Sequence, residues 1–380
     1  MFRLLIVRLI ARLPSMSVIS YLLTPKLLFS KITYRLLLFF YRFSYIFNES
    51  KFLIHSSASW LKKIHVTTSP LICLYDLNLS CPSFNVLEAL SAYSIFSRGK
   101  FASFHFVIIK PSMNLVNSSP SAFTGFHKYS GLMYRLENLV LPCASLFPAC
   151  SGVSVLDSID DYYHIFGSQP RYPLENSYQK FRFFQPINLY DYSSYGAEAA
   201  CLRPSLASIT IAQRLVGQIK GDKEIVTITI RVNEYDSIRN SSLCEWAKFV
   251  EYSSTLGYFV IVIPDSDNPG VFAPIHDEFI FPVFAYNIHL RAAIYDIALC
   301  NLGVANGPLG ISTFNRRAST ISLNICPDGT DYDIAAIFAS IGMSPGDPYF
   351  WYNDKSLNSV LPDTFENICH CFHILHPLST

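Results

Sequence analysis

The segment EIVTITIRVNEYDSIRNSSLCEWAKFVEYSSTLGYFVIVIPD, residues Glu224–Asp265, decides how this chain folds. It opens on a continuous run of apolar and β-branched residues, Glu224–Ile230, of the kind a strand shows when it is covered on both faces. It closes on a second such run, Tyr258–Asp265. Between them Leu243, Trp246, Phe249 and Val250 recur at helical spacing, and Gly257 stands where the helix has to stop. Ser242, followed three residues later by Glu245, predicts a capping box at the helix start. Strand, helix and strand in this order predict an α/β fold with a parallel sheet.

The same grammar appears upstream. LICLYDL (Leu71–Leu77) reads as a buried strand, Phe84–Gly99 as a helix ended by Gly99, and SFHFVIIK (Ser103–Lys110) as the next strand. A helix around Leu132–Leu146 and a short strand at Gly152–Asp157 follow. Residues 160–205 are rich in Tyr, Pro and Ser without periodicity and read as a crossover. Arg203–Gly221 reads as a helix bridging into the second unit. Beyond Asp265, Leu290–Cys300 predicts a helix and Asn301–Gly310 a short strand running into a turn. The expected division is a helical N-terminal segment (1–62), a first α/β domain with the crossover (63–200) and a second α/β domain (201–380).

Composition sets the outer bounds. Of 380 residues, 51% are hydrophobic and 15% charged, enough for large cores and unlike a disordered chain. The net charge of +1 argues against a general nucleic-acid binder. The ten cysteines contain no C-x-x-C pair; Cys369, His370, Cys371 and His373 lack zinc-site spacing, so buried thiols in a reducing cytoplasm are expected. Charge is uneven, however. Residues 1–50 hold seven Lys/Arg and one acid, leaving 22 bases and 27 acids in the remainder. That N-terminal stretch has no run of roughly 20 uncharged residues, as a membrane span requires. Arg8 and Arg12 fall on one helical face, and Leu4, Leu5, Ile6, Val7, Leu9 and Ile10 cover much of the rest. A basic amphipathic helix lying on an anionic membrane surface is expected, peripheral on the cytoplasmic side of the membrane.

In open parallel sheets, ligands bind beyond the carboxyl ends of the strands. Three such ends in the second unit carry polar residues: Arg231, Glu234, Tyr235, Arg239 and Asn240; then Asp265; then Asn306, Gly307 and Pro308. Arginine presents a planar fork of donors to phosphate oxygens. A tight glycine turn lets backbone N–H groups approach an anion, and an acidic residue can accept from sugar hydroxyls. The set suits a nucleoside diphosphate carrying a sugar. Neither G-x-G-x-x-G nor a P-loop is present, which removes the usual signature of dinucleotide enzymes and P-loop kinases. The pair Asp265–Asp267 is a poor dedicated Mg²⁺ cage, so no metal or further cofactor is expected. In the first unit Asp76, at the end of its strand, is a candidate general base or acceptor contact, with Glu234 as the other candidate base. Each residue also has a structural alternative: Arg231 in a surface pair with Glu234 or Asp236, and Asp76, Asp265, Asn240 or Asn306 in shaping the loop that follows.

Five segments, YDLNLSCPSFNVLEALSAYSIFSRG, YRLENLVLP, TITIRVNEYDSIRNSSLCEW, VIVIPDSD and NLGVANGPLGISTFN, resemble a poorly characterised bacterial family found among surface-polysaccharide and glycosyltransferase genes. The order strand–Arg, strand–Asp, strand–small turn is distantly similar to the GT-B fucosyltransferase superfamily. That resemblance implies two Rossmann-like domains whose parallel sheets face a central cleft. It implies diphosphate contact by Arg231 and donor contacts at Asp265 and Asn306-Gly307. It further implies glycosyl transfer from a nucleotide-sugar to a glycan or glycolipid acceptor. Val232 stands where the superfamily carries a second basic residue, and Asn306-Gly307-Pro308 replaces its Ser-rich turn. A nucleotide-sugar epimerase and a non-catalytic membrane-bound assembly protein are the alternatives.

Overall fold

The computed structural model describes residues 68–80, 82–112, 129–172, 196–232, 237–265, 272–325 and 355–377. The basic N-terminal segment expected at the membrane lies outside them. Among the described residues, no helix is long and apolar enough to cross a membrane. Residues 66–380 form one compact unit containing two parallel sheets.

The first sheet has strand order β3-β2-β1-β4, with β1 Leu71–Asp76, β2 Phe104–Ile109, β3 Cys150–Leu156 and β4 Arg171–Tyr172. Its helices are α1 Val86–Ser97, α2 Tyr129–Arg135, α3 Leu141–Ser145 and α4 Ile159–Phe166. Helices α2 and α3 are joined by a π-helical stretch, Leu136–Val140. Pro142, just beyond it, has no amide hydrogen for the carbonyl four residues back, so the regular ladder is interrupted there. Helix α5, Leu206–Lys220, leads to the second sheet and ends at Gly221, whose φ of 57° suits only glycine without strain. The second sheet has order β6-β5-β7-β8-β9: β5 Ile225–Ile230, β6 Phe259–Pro264, β7 Cys300–Val304, β8 Thr320–Leu323 and β9 Ser356–Asn358. Helices α6 Leu243–Thr255, α7 Val283–Tyr286, α8 Ile288–Ile297, α9 Gly310–Thr313 and α10 Phe365–Leu375 complete it.

Alternation along the strands builds the layers. On β5, Val226, Ile228 and Ile230 join a core formed with α6 and α10, through Trp246, Phe249 and Phe372. On β1, Ile72 and Leu74 face α4 through Tyr162, while Leu71, Cys73 and Tyr75 face the opposite way. Those inward residues join Ile225, Ile261 and Ile263 of the second sheet in one continuous core, filled by α1, α3 and α8. The two sheets therefore share an apolar middle layer. The carboxyl ends also meet: a Cβ on Gly307, beyond β7, would lie 2.8 Å from Cδ2 of Phe84, in the loop leaving β1.

Two local expectations are corrected. The stretch read as an irregular crossover contains α4 and β4; α4 starts at a capping box in which Ser158 and Asp161 bond reciprocally. The box expected at Ser242 and Glu245 does not form, since the Ser242 hydroxyl caps nothing. Asp363 takes over, accepting from the Ser242 N–H at 2.8 Å and the Trp246 indole at 2.7 Å. Glu245 instead accepts from the Phe365 N–H at 2.9 Å, at the start of α10. The two helices thus cap each other across the tertiary fold.

This exchange sets an expectation for denaturant unfolding. Asp363→Ala leaves two donors at a buried site without a partner and should lower stability by about 1–3 kcal/mol. Ser242→Ala should stay within about 0.5 kcal/mol of the parent. Equal losses in the two variants would refute this account of the cap.

Candidate functional site

Numbered along the sequence, the strands of the second sheet run 2-1-3-4-5, and the connections reverse direction between β5 and β7. Ligands of doubly wound sheets bind outside the carboxyl ends of the strands at such a switch point. The residues that gather there follow from the loops after β5 and β7.

Arg231 is the first residue beyond β5. Its N–H donates to the Ser241 hydroxyl at 2.9 Å, and the Ser241 N–H donates back to its carbonyl at 2.9 Å. Two hydrogen bonds therefore close the neck of the loop 232–240. Arg239, in a 3₁₀ turn Ser237–Arg239, sends Nη2 to the carbonyl of Ala305 at 3.0 Å, the first residue past β7. This side chain bridges the two strand ends that flank the switch point. Asn240 is half-buried and closes the turn through its N–H to the Ser237 carbonyl at 3.0 Å. Glu234 and Tyr235 lie outside the described residues.

Beyond β7, the Asn306 side-chain oxygen accepts from the Leu309 N–H at 2.9 Å. That bond fixes the amide orientation and leaves Nδ2 as a buried donor with no hydrogen-bond partner among the described residues. Pro308 is buried and Gly307 is exposed. Gly307 was expected to admit an anion to the backbone. The structure gives its missing side chain another reason, close contact with Phe84.

Asp265 ends β6 and is 6% exposed. Beneath it lies a polar group that the sequence did not reveal. Arg291, on α8, is fully buried; its Nε donates to the Phe284 carbonyl at 2.8 Å and Nη2 to the Pro264 carbonyl at 2.7 Å. Its Nη1 has no hydrogen-bond partner among the described residues. The Tyr295 hydroxyl bonds to that of Thr229. Burial pushes the Tyr295 phenol up, Arg291 and the bond to Thr229 pull it down, and Asp265 raises it again. A cation and an anion thus lie close to the same buried phenol, under the ends of β5 and β6.

On the facing side, Asp76 closes β1 at 5% exposure. Its Oδ1 accepts from both the N–H and the side-chain amide of Asn78, each at 2.8 Å, so it shapes the loop that follows. Burial raises its pKa above the ordinary carboxylate value, and the bonds from Asn78 oppose that. A few residues on, in the first turn of α1, burial pushes Glu88 up to about 7. Neighbouring Leu87 touches Gly310 on the other side of the site. The signal in the sequence was there: Glu88 is the only charge in VLEALSAYSIFS. The structure thus joins Arg239 to the end of β7 beside Asn306, and joins the loop after Asp76 to Gly307 through Phe84. Arg231 and Asp265 stand at neighbouring strand ends. Among the described residues, no group of three metal-ligating side chains occurs.

No family model matches the chain, and no curated protein matches it. Several solved structures are similar at low identity. A glycosyl transferase of family 9 from Veillonella parvula DSM 2008 has a TM-score of 0.45 and 10% identity, covering 83% of this chain and 99% of that one. The E. coli ADP-heptose LPS heptosyltransferase II has a TM-score of 0.46 and 8% identity, over 80% and 98%. The E. coli heptosyltransferase WaaC with ADP has a TM-score of 0.40 and 11% identity, over 81% and 100%.

Glu88 gives a pH signature. Its folded-state value of about 7 lies above the ordinary glutamate value of 4.5. Its neutral form therefore favours the folded state below pH 4.5, and that contribution is lost as pH rises through 7. Glu88→Gln should raise the melting temperature relative to the parent at pH 8 and change it little at pH 4.5. Parallel melting curves for the two proteins between those pH values would contradict it.

Proposed function

We propose that this chain is a glycosyltransferase that takes a sugar from a nucleoside diphosphate and delivers it to a cell-surface glycan or lipid-linked acceptor. The observation that carries this reading is the switch point of the second sheet. There Arg239 ties the β5 loop to the end of β7, Arg231 is seated at the neck of that loop, and Asn306 holds out an amide donor. Fixed donors at one strand end suit a diphosphate better than an uncharged ligand. The organisation we propose is GT-B-like, with the donor on the second sheet and the acceptor beside β1.

In the reaction, an acceptor hydroxyl oxygen bonds to the anomeric carbon while the bond from that carbon to the diphosphate oxygen breaks. The bonding pair leaves with the nucleoside diphosphate, and Arg231 stabilises the charge that develops there. The acceptor proton passes to a carboxylate. Asp76 and Glu234 are the two candidates, and the raised pKa of Asp76 favours it as the proton acceptor. Holding both substrates in register across the contact between Phe84 and Gly307 supplies the remaining advantage. The basic segment 1–62 would bring the enzyme to the cytoplasmic membrane face, where a lipid-linked acceptor resides.

Two experiments test this. Thermal shifts against a panel of nucleoside diphosphates should show about 2.7 kcal/mol of stabilisation at a hundredfold excess over Kd. Arg231→Ala should abolish the shift. The donor-site assignment fails if that variant keeps it, and the enzyme reading fails if no diphosphate shifts the parent. Separately, the full chain should sediment with anionic vesicles and a chain lacking residues 1–62 should not; equal sedimentation would remove the membrane assignment.

A further inference from the structure

A second cationic site lies away from the carboxyl ends of the strands. A cavity of about 240 Å³ is lined by Arg98, Arg203, Arg316, Glu198, Ser94 and Cys201, among others. It sits at the C-terminal end of α1 and beside Pro148 and Ala149, which lead into the amino end of β3. It is therefore at the opposite end of the first sheet from Asp76.

Three guanidinium groups face one carboxylate, a local excess of two positive charges. Arg98 pairs with Glu198 at 3.3 Å. The side chains of Arg203 and Arg316 make no hydrogen bond or ion pair among the described residues. Both line the cavity, from opposite ends of a short backbone pairing. Cys201 and Asn315 form an antiparallel bridge, and the Leu202 N–H donates to the Phe314 carbonyl at 2.9 Å. Arg203 and Arg316 flank that pairing on its two strands. Asn315 is itself locked, because its side-chain amide donates to the buried Asp296 at 2.8 Å. Arg203 and Arg316 are exposed, so water screens their repulsion in part; the two positive charges that Glu198 leaves unbalanced are relieved by an anion in the cavity.

We infer that this cavity binds a small dianion of the phosphate class. The forked donors of Arg203 and Arg316 match phosphate oxygens, and the volume is roughly that of eight waters at about 30 Å³ each, room for a small ion and little more. Because the lining comes from α1, the residues before β3, the segment 198–203 and Arg316, an occupant would tie the end of α1 to that segment and to the loop after α9. This site is independent of the donor site proposed above.

Titration calorimetry of the full chain with inorganic phosphate at low ionic strength tests it. The parent should bind, and Arg203→Gln with Arg316→Gln should weaken binding at least tenfold. Arg231→Ala should retain it. Glu198→Gln, which releases Arg98 from its partner, should tighten it. Arg214→Gln, an exposed charge removed from α5, should leave it unchanged. The inference is overturned if the parent does not bind phosphate. It is also overturned if the Arg203/Arg316 double variant binds as the parent does, or if Arg231→Ala alone abolishes binding.

Discussion

A helix without a solvent face holds this molecule together. Ten of the twelve residues of α1 are buried, on every side of the helix. Its apolar residues pack against β1 and β2 and, through the same core, against residues of the second sheet. Such a helix carries polar groups only if each is satisfied. The Tyr93 hydroxyl donates to the Leu74 carbonyl, Ser91 to the Ala199 carbonyl, and Ser94 and Ser97 to carbonyls of their own helix. Burying one aliphatic side chain is worth about 1.5–3 kcal/mol, so separating the sheets along this layer would expose many times that. The halves are consequently fixed relative to each other, and the strand ends that face across Phe84 and Gly307 keep their register. Traffic through the site must then come from its loops, as hinge opening would have to expose the middle layer.

The polar interior of the second sheet is arranged on the same face. Thr227 bonds to Asn301 at 2.6 Å, and Asn301 donates to the carbonyls of Tyr295 and Ser319. Arg291 lies at the carboxyl end of this row. A buried guanidinium normally meets a counter-ion, because desolvating a lone charge is expensive. Here it clamps two carbonyls, Phe284 and Pro264, and so sets where β6 ends and Asp265 begins. Its positive charge also adds to the field at the strand ends, where an anionic ligand is proposed.

Sequence periodicity made most of the architecture legible. The strands β1, β2, β5 and β6 are continuous apolar runs, β3 and β7 are mixed, and the helices between them carry core stripes, so these elements appear within a few residues of their observed bounds. Strand β4 escaped because two residues carry no period, and α4 because its Ser158–Asp161 box sits in a Tyr-rich stretch. The site was legible by position, as polar residues following buried strands, but not by role. Arg291 looks like an ordinary surface charge on an amphipathic helix, and only the packing of a second layer over it makes it buried; Glu88, the one charge in its helix, could have been singled out. Gly307 and Glu245 show the converse. Each has an obvious local explanation, and a partner distant in sequence, Phe84 or Phe365, supplies the actual one.

The reciprocal pair between Arg231 and Ser241 separates the sheet from the nine residues it encloses. Because both ends of that excursion are pinned, its interior can change length or composition while β5 and α6 stay where they are, and doubling a flexible loop costs only about 0.6 kcal/mol. Sequence changes confined to that short insert can therefore alter what the end of β5 presents to its surroundings on an unchanged scaffold.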